Sequence, residues 1–411
     1  MPTDNTTHGK LSTKAFWSQP ASKRAETFAR LRREAPVSFQ PPPDFGTPPS
    51  TRGYWAVTTA DLVTHVSRTP ETFCSGKGVN FEDMPIELLE AGSAFLVMDA
   101  PRHTAIRGIV SRAFTPRRIA ELDVAINARA AEVVREFVAA GGGDAVVDFA
   151  RKLPLWTIST MMGIPGEMQD AMYDAAEVMT AYVDPSLVPE GQDGTAMSME
   201  AAMTLHGMAT QLAAERRANP GDDLISALVQ SDVEGGLNDH MIGSIFLLFA
   251  VAGNDTTRNS TSHGLKLLSD HPDQWQAVKA DPDRLINPMV EEIVRYATPV
   301  IQFRRTATCD VELGGQQIAE GDMVVLFYES ANKDESVFEN AAAFDVTRDP
   351  NPHVGFGGGG PHFCLGANLA RAQIRDIFRH LAAADAHIDA GEPTYLASHF
   401  VHGIVGMPVS V

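Results

Sequence analysis

The sequence predicts a mainly α-helical fold with a small β portion. Apolar residues recur at helical spacing through most of the chain, whereas runs typical of strands are few and short. The chain has 411 residues, of which 44% are hydrophobic and 21% are charged, as in ordinary globular proteins. Its length alone would allow two or three domains, although no internal repeat or linker divides it. Residues 1–15 are expected to form a flexible tail.

Helical spacing first predicts a helix from Ala21 to Ala35, before a proline-rich stretch from Pro41 to Pro49 that cannot continue it. A long helix is expected from Thr115-Pro116, where a capping hydroxyl precedes proline at the first helical position. The triple glycine Gly141–Gly143 should end that helix. Its apolar positions are Ile119, Leu122, Ile126, Ala130, Val133 and Phe137.

Short strands are predicted at Tyr54 to Thr58, at Asp310 to Leu313 and at Met323 to Phe327. Between the last two, Gly314-Gly315 precedes Gln317-Ile318. A double glycine at that position is typical of a tight hairpin turn.

The charge of the chain excludes some partners. With 52 acidic and 33 basic residues, the formal net charge is -19, which disfavours nucleic acid and anionic membranes. The N-terminus has no apolar signal-peptide core, and the apolar run from Ile245 to Ala252 is too short to span a bilayer. We therefore expect a cytoplasmic protein with no membrane anchor and no nucleic-acid partner.

One of the three cysteines, Cys364, lies in a glycine-rich segment. Residues 355–371 read GFGGGGPHFCLGANLAR, and a helix is predicted from Leu365 to Arg375. A cysteine at a helix N-terminus favours the thiolate, which is the ligand that a haem iron needs for O–O cleavage. Four glycines would also let the backbone approach a flat ligand closely. Taken alone, however, the loop is equally compatible with an inert buried cysteine.

A second unusual segment is the centre of the helix predicted from Ile245 to Leu268, which reads Ala252-Gly253-Asn254-Asp255-Thr256-Thr257. Glycine and threonine are weak helix formers, and a threonine hydroxyl can bond to a carbonyl one turn earlier and bend the helix. An acid and an alcohol at such a break can relay protons. The segment alone is also compatible with an irregular helix carrying a satisfied polar patch.

Two pairs of charged residues have helical spacing. Glu292 and Arg295 are three residues apart, and His103 and Arg107 are four apart on one helix face. Either pair by itself is more often an exposed surface pair that contributes a few tenths of a kcal/mol.

Together these segments resemble the cytochrome P-450 superfamily. His362, Cys364 and Gly366 match its cysteine-loop pattern F-G-x-G-x-H-x-C-x-G, although Phe356 lies eight residues before the cysteine instead of seven. Ala252 to Thr256 is similar to the distal motif A/G-G-x-D/E-T. The resemblance implies a triangular, mostly helical single domain over residues 1–411.

The same resemblance implies a monooxygenase that contains haem b (iron protoporphyrin IX). Cys364 would bind the iron, Thr256 would face dioxygen and Asp255 would supply protons. Ala252, Gly253 and Gly366 would also contact the cofactor. The propionate contacts would be His103, Arg107, Arg305 and His362. Glu292, Arg295 and Arg348 would form a structural cluster.

For the substrate, the resemblance is closest to actinobacterial methyl-branched-lipid and sterol-side-chain hydroxylases and related terpene hydroxylases. It rests on VAGNDTTRN, NPHVGFGGGG, CLGANLAR and the late FVHGI from Phe400 to Ile404. A small hydrophobic substrate oxidised at a terminal methyl is expected. Its pocket would be lined by Phe249, Val300, Ile301 and Phe303. A polyketide or macrolide tailoring hydroxylase remains an alternative, as does a haem-thiolate sensor or gas-binding protein.

Electrons would come from an acidic ferredoxin with an NAD(P)H-dependent ferredoxin reductase, since no flavin-binding or iron–sulfur segment is recognisable in the chain. In the family fold Arg112, Arg371 and Arg375 flank the cysteine loop, and we expect them to form a basic docking patch on an otherwise acidic protein.

Overall fold

The computed structural model describes residues 10–44, 53–81, 83, 85–112, 116–181, 187–231 and 237–411, and within these ranges the side chains of 112 and 116–119 are not described. Its α-helices are α1 (Lys14–Trp17), α2 (Ala21–Glu34), α3 (Ala60–Arg68), α4 (Ile86–Ser93), α5 (Arg102–Arg112), α6 (Pro116–Ala139), α7 (Lys152–Met162), α8 (Gly166–Ala181), α9 (Gly194–Ala218), α10 (Leu224–Val229), α11 (Asp239–Asp270), α12 (Pro272–Ala280), α13 (Pro282–Ala297), α14 (Tyr328–Ala331) and α15 (Ala367–Ala383).

The strands are short. They are β1 (Val37–Gln40), β2 (Tyr54–Val57), β3 (Phe73–Cys74), β4 (Gly142–Asp144), β5 (Gln302–Ala307), β6 (Val311–Leu313), β7 (Gln316–Ile318), β8 (Met323–Phe327), β9 (Asp389–Ala390), β10 (Thr394–Tyr395), β11 (Ile404–Gly406) and β12 (Pro408–Ser410). The largest sheet has five strands in the order β1-β2-β8-β5-β3, in which β2 and β8 are parallel and the other neighbours are antiparallel. The mainly helical fold with a small sheet portion is therefore confirmed.

Local sequence signals located several elements closely. The predicted hairpin is β6–β7, and Gly314 and Gly315 have φ of 55° and 77°. Positive φ at both central residues is what the two-residue turn of such a hairpin requires. The helix expected at Thr115-Pro116 begins at Pro116 and ends at Ala139, although Thr115 itself lies outside the described residues.

The prediction of a flexible tail over residues 1–15 is wrong for the part of that tail that the structure describes. Residues Lys10–Ser12 form a 3-10 helix that leads into α1, and Leu11 is fully buried. Trp17 donates its indole N–H to the Leu11 carbonyl at 2.8 Å, and its ring stacks 6.1 Å from that of Phe327. The segment is ordered because it closes the aromatic cluster under β8, a long-range contact that the polar local sequence does not reveal.

Helix α11 runs through the centre of the protein and packs against α7, α8, α9, α13 and α15. Most of its side chains are buried, including Phe246, Ala250 and Leu265. The helix is continuous from Asp239 to Asp270, so the break expected at its centre is absent. Among the described residues, no helix has the length and apolar character needed to cross a membrane.

Candidate active site

Cys364 lies in the loop before α15, and not at the first turn of the helix as predicted. The helix begins at Ala367 with Gly366 as its N-cap, because residues 361–366 form turns in which the Cys364 N–H bonds to the Phe356 carbonyl at 3.0 Å. Burial raises the pKa of the Cys364 thiol, whereas the Gly366 backbone N–H and the nearby Arg107 charge lower it. As a whole residue, Cys364 is nevertheless exposed.

The glycines before Cys364 are required by close packing as well as by backbone conformation. A Cβ on Gly360 would lie only 2.1 Å from the Ser67 carbonyl oxygen. One on Gly358 would lie 2.6 Å from the Ser67 hydroxyl. Gly357, Gly359 and Gly360 have φ between 74° and 98°, which other residues rarely adopt. The loop is thus held against the end of α3.

Four basic side chains converge beside this loop. The His103 and His362 rings have centroids 4.3 Å apart, and the charges of Arg305 and Arg107 both act on His362. Arg107, in turn, donates to the Phe363 carbonyl. The pKa of His362 is lowered to about 2, mainly by burial of the ring and further by these neighbouring basic groups. Among the described residues, no carboxylate forms a salt bridge with any of these four side chains.

This cluster fits the propionates of a haem. Buried cations are normally paired, and here Arg305 is only 4% exposed without an acidic partner among the described residues. The His103 Nε2 atom is buried and has no hydrogen-bond partner in the same part of the chain. An anionic group placed between these side chains would satisfy both conditions. Cys364 would then supply the thiolate ligand to the iron.

The centre of α11 presents an accessible face although the helix is otherwise buried. Phe249, Ala252, Gly253 and Thr256 lie on one side of it, because residues three, four and seven apart share a helix face. Ala252 is exposed, and the other three are half-buried. The Thr256 hydroxyl donates to the Ala252 carbonyl at 2.9 Å, which leaves its lone pairs available to accept another hydrogen bond.

Asp255 points away from that face into the contact with α8. It is 3% exposed, and its Oδ1 lies 3.4 Å from Nη2 of Arg258. Arg258 also donates from Nη1 to Glu177 at 3.1 Å and to the Tyr173 hydroxyl at 3.2 Å. Burial raises the pKa of Asp255, and the Arg258 charge lowers it. The acid therefore contacts a network that ends at Glu177, whose side chain is 42% exposed.

Glu292, Arg295 and Arg348 form one cluster, as the sequence predicts. Arg295 donates to both carboxylate oxygens of Glu292 at 2.7 Å, and both side chains are fully buried. Arg348 and Asn351 add bonds at 3.2 and 3.0 Å to the same carboxylate. Arg295 also donates to the carbonyls of Asn332, Ala341 and Ala343. The cluster ties α13 to the chain that leads to the cysteine loop.

The expected basic patch is corrected by the structure. Arg371 donates to both oxygens of Glu291 at 2.6 and 2.9 Å, and Arg375 pairs with Asp123 and Asp376 at 2.7 Å each. These carboxylates compensate the two positive charges, and the residues line a cleft of about 390 Å³. The Arg112 side chain lies outside the described residues.

Glu291 is a residue that the sequence analysis missed. It also contacts His353 at 2.9 Å, and it holds Arg371 over the Phe356 ring at 4.3 Å. The Phe356 carbonyl in turn accepts from the Cys364 N–H. Glu291 thus supports the cysteine loop from outside. Its position next to Glu292 was the available signal, but a second acid beside a motif indicates nothing without the fold.

The expected pocket residues separate into two groups. Phe303 and Val300 are half-buried, and Phe303 and Arg305 share one face of β5 because side chains alternate along a strand. Ile301 differs from them: it precedes β5, is fully buried and packs with Tyr54 and Phe327 in the N-terminal aromatic cluster.

Comparisons with known proteins agree with this geometry. The family model described as Cytochrome P450 matches residues 45–381. The methyl-branched lipid omega-hydroxylase of Mycobacterium tuberculosis is 42% identical over 98% of this chain and 94% of that protein. The steroid C26-monooxygenase of Rhodococcus jostii is 42% identical over 92% of this chain and 80% of that protein.

Among solved structures, the chain is similar to Mycobacterium marinum cytochrome P450 CYP268A2 in complex with pseudoionone. The sequence identity is 48%, the TM-score is 0.95, and 100% of both chains is covered.

We predict that Glu292→Gln destabilises the protein strongly. The substitution keeps the side-chain size but leaves the buried Arg295 without its counter-charge, which should cost about 3–5 kcal/mol. Thermal unfolding of the purified protein, or its soluble yield where it does not fold, measures the loss.

Glu26→Gln is the matched control. Glu26 also pairs with a cation three residues away on one helix, Lys23, at 2.9 Å, but the two side chains are 67% and 62% exposed. The control should lose no more than about 1 kcal/mol. Equal losses in the two variants would contradict the importance of the buried pair.

Proposed function

Since this chain belongs to the cytochrome P450 family and is a monooxygenase of that family, we propose that it hydroxylates a branched lipid, terpenoid or steroid side chain at a terminal methyl. The observation that carries the cofactor assignment is the cluster of two arginines and two histidines beside Cys364, of which Arg305 and His103 are buried. We assign the cofactor as haem b, bound through Cys364. When bound, the haem would activate dioxygen: with two electrons from the redox partner and two protons, one oxygen atom would enter a substrate C–H bond and the other would leave as water.

The residues around the cofactor would have distinct tasks. Arg107, Arg305, His103 and His362 would hold the propionates and so fix the orientation of the haem plane. Gly366 would donate its backbone N–H to the Cys364 sulfur, and Ala252 and Gly253 would leave room on the opposite side. This division is supported by the buried Arg305, by the unpartnered Nε2 of His103 and by the accessible face of α11.

Thr256 and Asp255 would deliver protons. The Thr256 hydroxyl is held by the Ala252 carbonyl and keeps its lone pairs free, so it can hold a water or another proton donor at the accessible face. Asp255 would pass protons inward from the network that reaches the surface at Glu177. To pass a proton on to Thr256, the Asp255 carboxyl group must turn from Arg258 toward Thr256.

The pocket would favour the end of a chain-like substrate. A primary C–H bond is harder to break than a neighbouring tertiary one, so terminal attack needs a pocket that holds the substrate end-on. Phe249, Val300 and Phe303 are the apolar residues that we assign to this narrowing. The assignment is supported by their half-buried side chains and by the names of the similar hydroxylases.

For electron supply we propose an acidic ferredoxin with an NAD(P)H-dependent ferredoxin reductase, and for location the cytoplasm. Since carboxylates compensate Arg371 and Arg375, docking is not assigned to those two side chains. We propose no nucleic-acid partner, in line with the net charge of -19.

Thr256→Ala should still consume reductant and oxygen but release much of the oxygen as hydrogen peroxide, because the hydroxyl that holds the proton donor is lost. Roughly a tenfold or larger fall in product formed per reductant is expected. Product and peroxide are measured in the same reaction.

Thr210→Ala is the control for that experiment. Its hydroxyl makes the same bond one turn back, to the His206 carbonyl at 2.9 Å, but on the exposed side of α9. Coupling should be unchanged in this variant. Wild-type coupling in Thr256→Ala would refute the role assigned to Thr256.

The substrate class is tested with phytanic acid, palmitic acid, pseudoionone, cholesterol and a polar macrolide. Spectral titration of the Soret band measures binding, and mass spectrometry locates the hydroxyl group after turnover with a ferredoxin system. We expect the branched or isoprenoid compounds to bind tightest and to be oxidised at a terminal methyl. In-chain oxidation alone, or tight binding of the macrolide alone, would replace this proposal with a macrolide tailoring function.

A further inference from the structure

The loop that contains Phe400 and His402 is bound to the chain segment between α13 and β5. The His402 N–H donates to the Pro299 carbonyl at 3.0 Å, and the Ile301 N–H donates to the Phe400 carbonyl at 2.8 Å. Between these bonds, Val300 and Val401 form an antiparallel bridge. The Phe400 ring also packs edge-on against Phe303 at 5.5 Å. The loop therefore supports the segment that carries Val300 and Phe303.

The His402 side chain adds a bond to the end of α13. Its Nδ1 lies 2.6 Å from the Ala297 carbonyl oxygen, and a carbonyl only accepts, so Nδ1 carries the proton. Ala297 ends α13, where carbonyls have no partner within the helix, and the chain leaves through Thr298 with φ of 40°. His402 thus satisfies a helix-terminal carbonyl where the pocket segment begins.

A second histidine binds the same loop to the central helix. His263 of α11 places Nε2 3.0 Å from the His402 carbonyl oxygen, and the two rings are 4.3 Å apart. Burial lowers the pKa of both, that of His402 to about 3. Both rings are therefore neutral near pH 7, and each spends its single N–H on one of these carbonyls.

We propose that His402 is a positioning residue for the pocket. It fixes the segment with Val300 and Phe303 relative to α11, which carries Phe249 and Thr256, and so determines which C–H bond of the substrate is presented. This inference rests on the proposed function, because it concerns the same pocket. The three attachments meet at one residue: two use the His402 backbone and one its side chain. Losing the side-chain bond should therefore let one pocket wall shift against the other.

Two variants of His402 separate positioning from simple packing. His402→Phe keeps a ring of similar size but has no N–H, whereas His402→Asn is smaller and can place an amide N–H near the position of Nδ1. We expect His402→Phe to weaken substrate binding by about fivefold, the effect of one hydrogen bond of about 1 kcal/mol. It should also shift the ratio of terminal to in-chain products several-fold. His402→Asn should restore most of the wild-type ratio.

His271→Phe is the matched control. His271 also donates from Nδ1 to a carbonyl in the last turn of a helix, that of Leu267 at 2.9 Å, but its ring packs on Phe344 away from the pocket segment. The His271→Phe substitution should lower thermal stability while leaving both substrate affinity and product ratio unchanged. A His402→Phe enzyme that loses stability but keeps the wild-type affinity and product ratio would overturn the proposal.

A further variant applies if His402→Phe does not fold. His263→Leu removes the donor from α11 to the same loop and should change affinity and product ratio in the same direction; unchanged values would also overturn the proposal. The proposed function fails separately, in the wild-type enzyme, if no branched or isoprenoid compound binds. The affinity comparison between His402→Phe and His271→Phe is then made with whichever panel compound the wild type binds.

Discussion

Glu292 carries a charge at a position where no water reaches it, and much of the architecture around the site follows from the need to satisfy that charge. Arg295, Arg348, Asn351 and the Asp345 backbone N–H all bond to its carboxylate. These partners come from one helix and from the chain that leads to the cysteine loop. Breaking such a pair costs more than its formation contributes, because the remaining charge stays buried. The position of the cysteine loop therefore depends on the intact ion pair between Glu292 and Arg295 of α13.

On the other side of the cysteine loop, basic side chains lack partners of opposite charge. Glu292 has several partners, whereas Arg305 and Arg107 form no salt bridge with a carboxylate of the described residues, and the buried His103 Nε2 has no hydrogen-bond partner among them. A protein retains a buried cation such as Arg305 where a ligand supplies the anion. The acid is satisfied and the basic groups beside the Cys364 loop are not. A dianionic cofactor bound at this position would supply the missing negative charge.

The sequence alone predicted those parts of the fold and the site that depend on local signals. The Gly314-Gly315 hairpin and the helix start at Pro116 are examples. The Glu292–Arg295–Arg348 cluster was expected only from the family resemblance, because the pair alone is typical of an exposed surface. Features set by distant contacts were not predictable. Ile301 is buried by an aromatic cluster built partly from residues 11–28, and Arg371 and Arg375 are neutralised by acids on other helices. The residues around Leu11 give no signal of the ordered segment, and the place of Glu291 beside Glu292 does not indicate its role without the fold.

Binding of a haem iron by the Cys364 thiolate is tested most directly by the spectrum of the dithionite-reduced carbonyl complex. The account predicts that the wild-type protein shows the strongly red-shifted Soret band of thiolate-ligated haem, that Cys364→Ala loses it, and that Cys309→Ala, at an exposed cysteine, keeps it. A folded, haem-containing Cys364→Ala protein that retains the band would contradict the account.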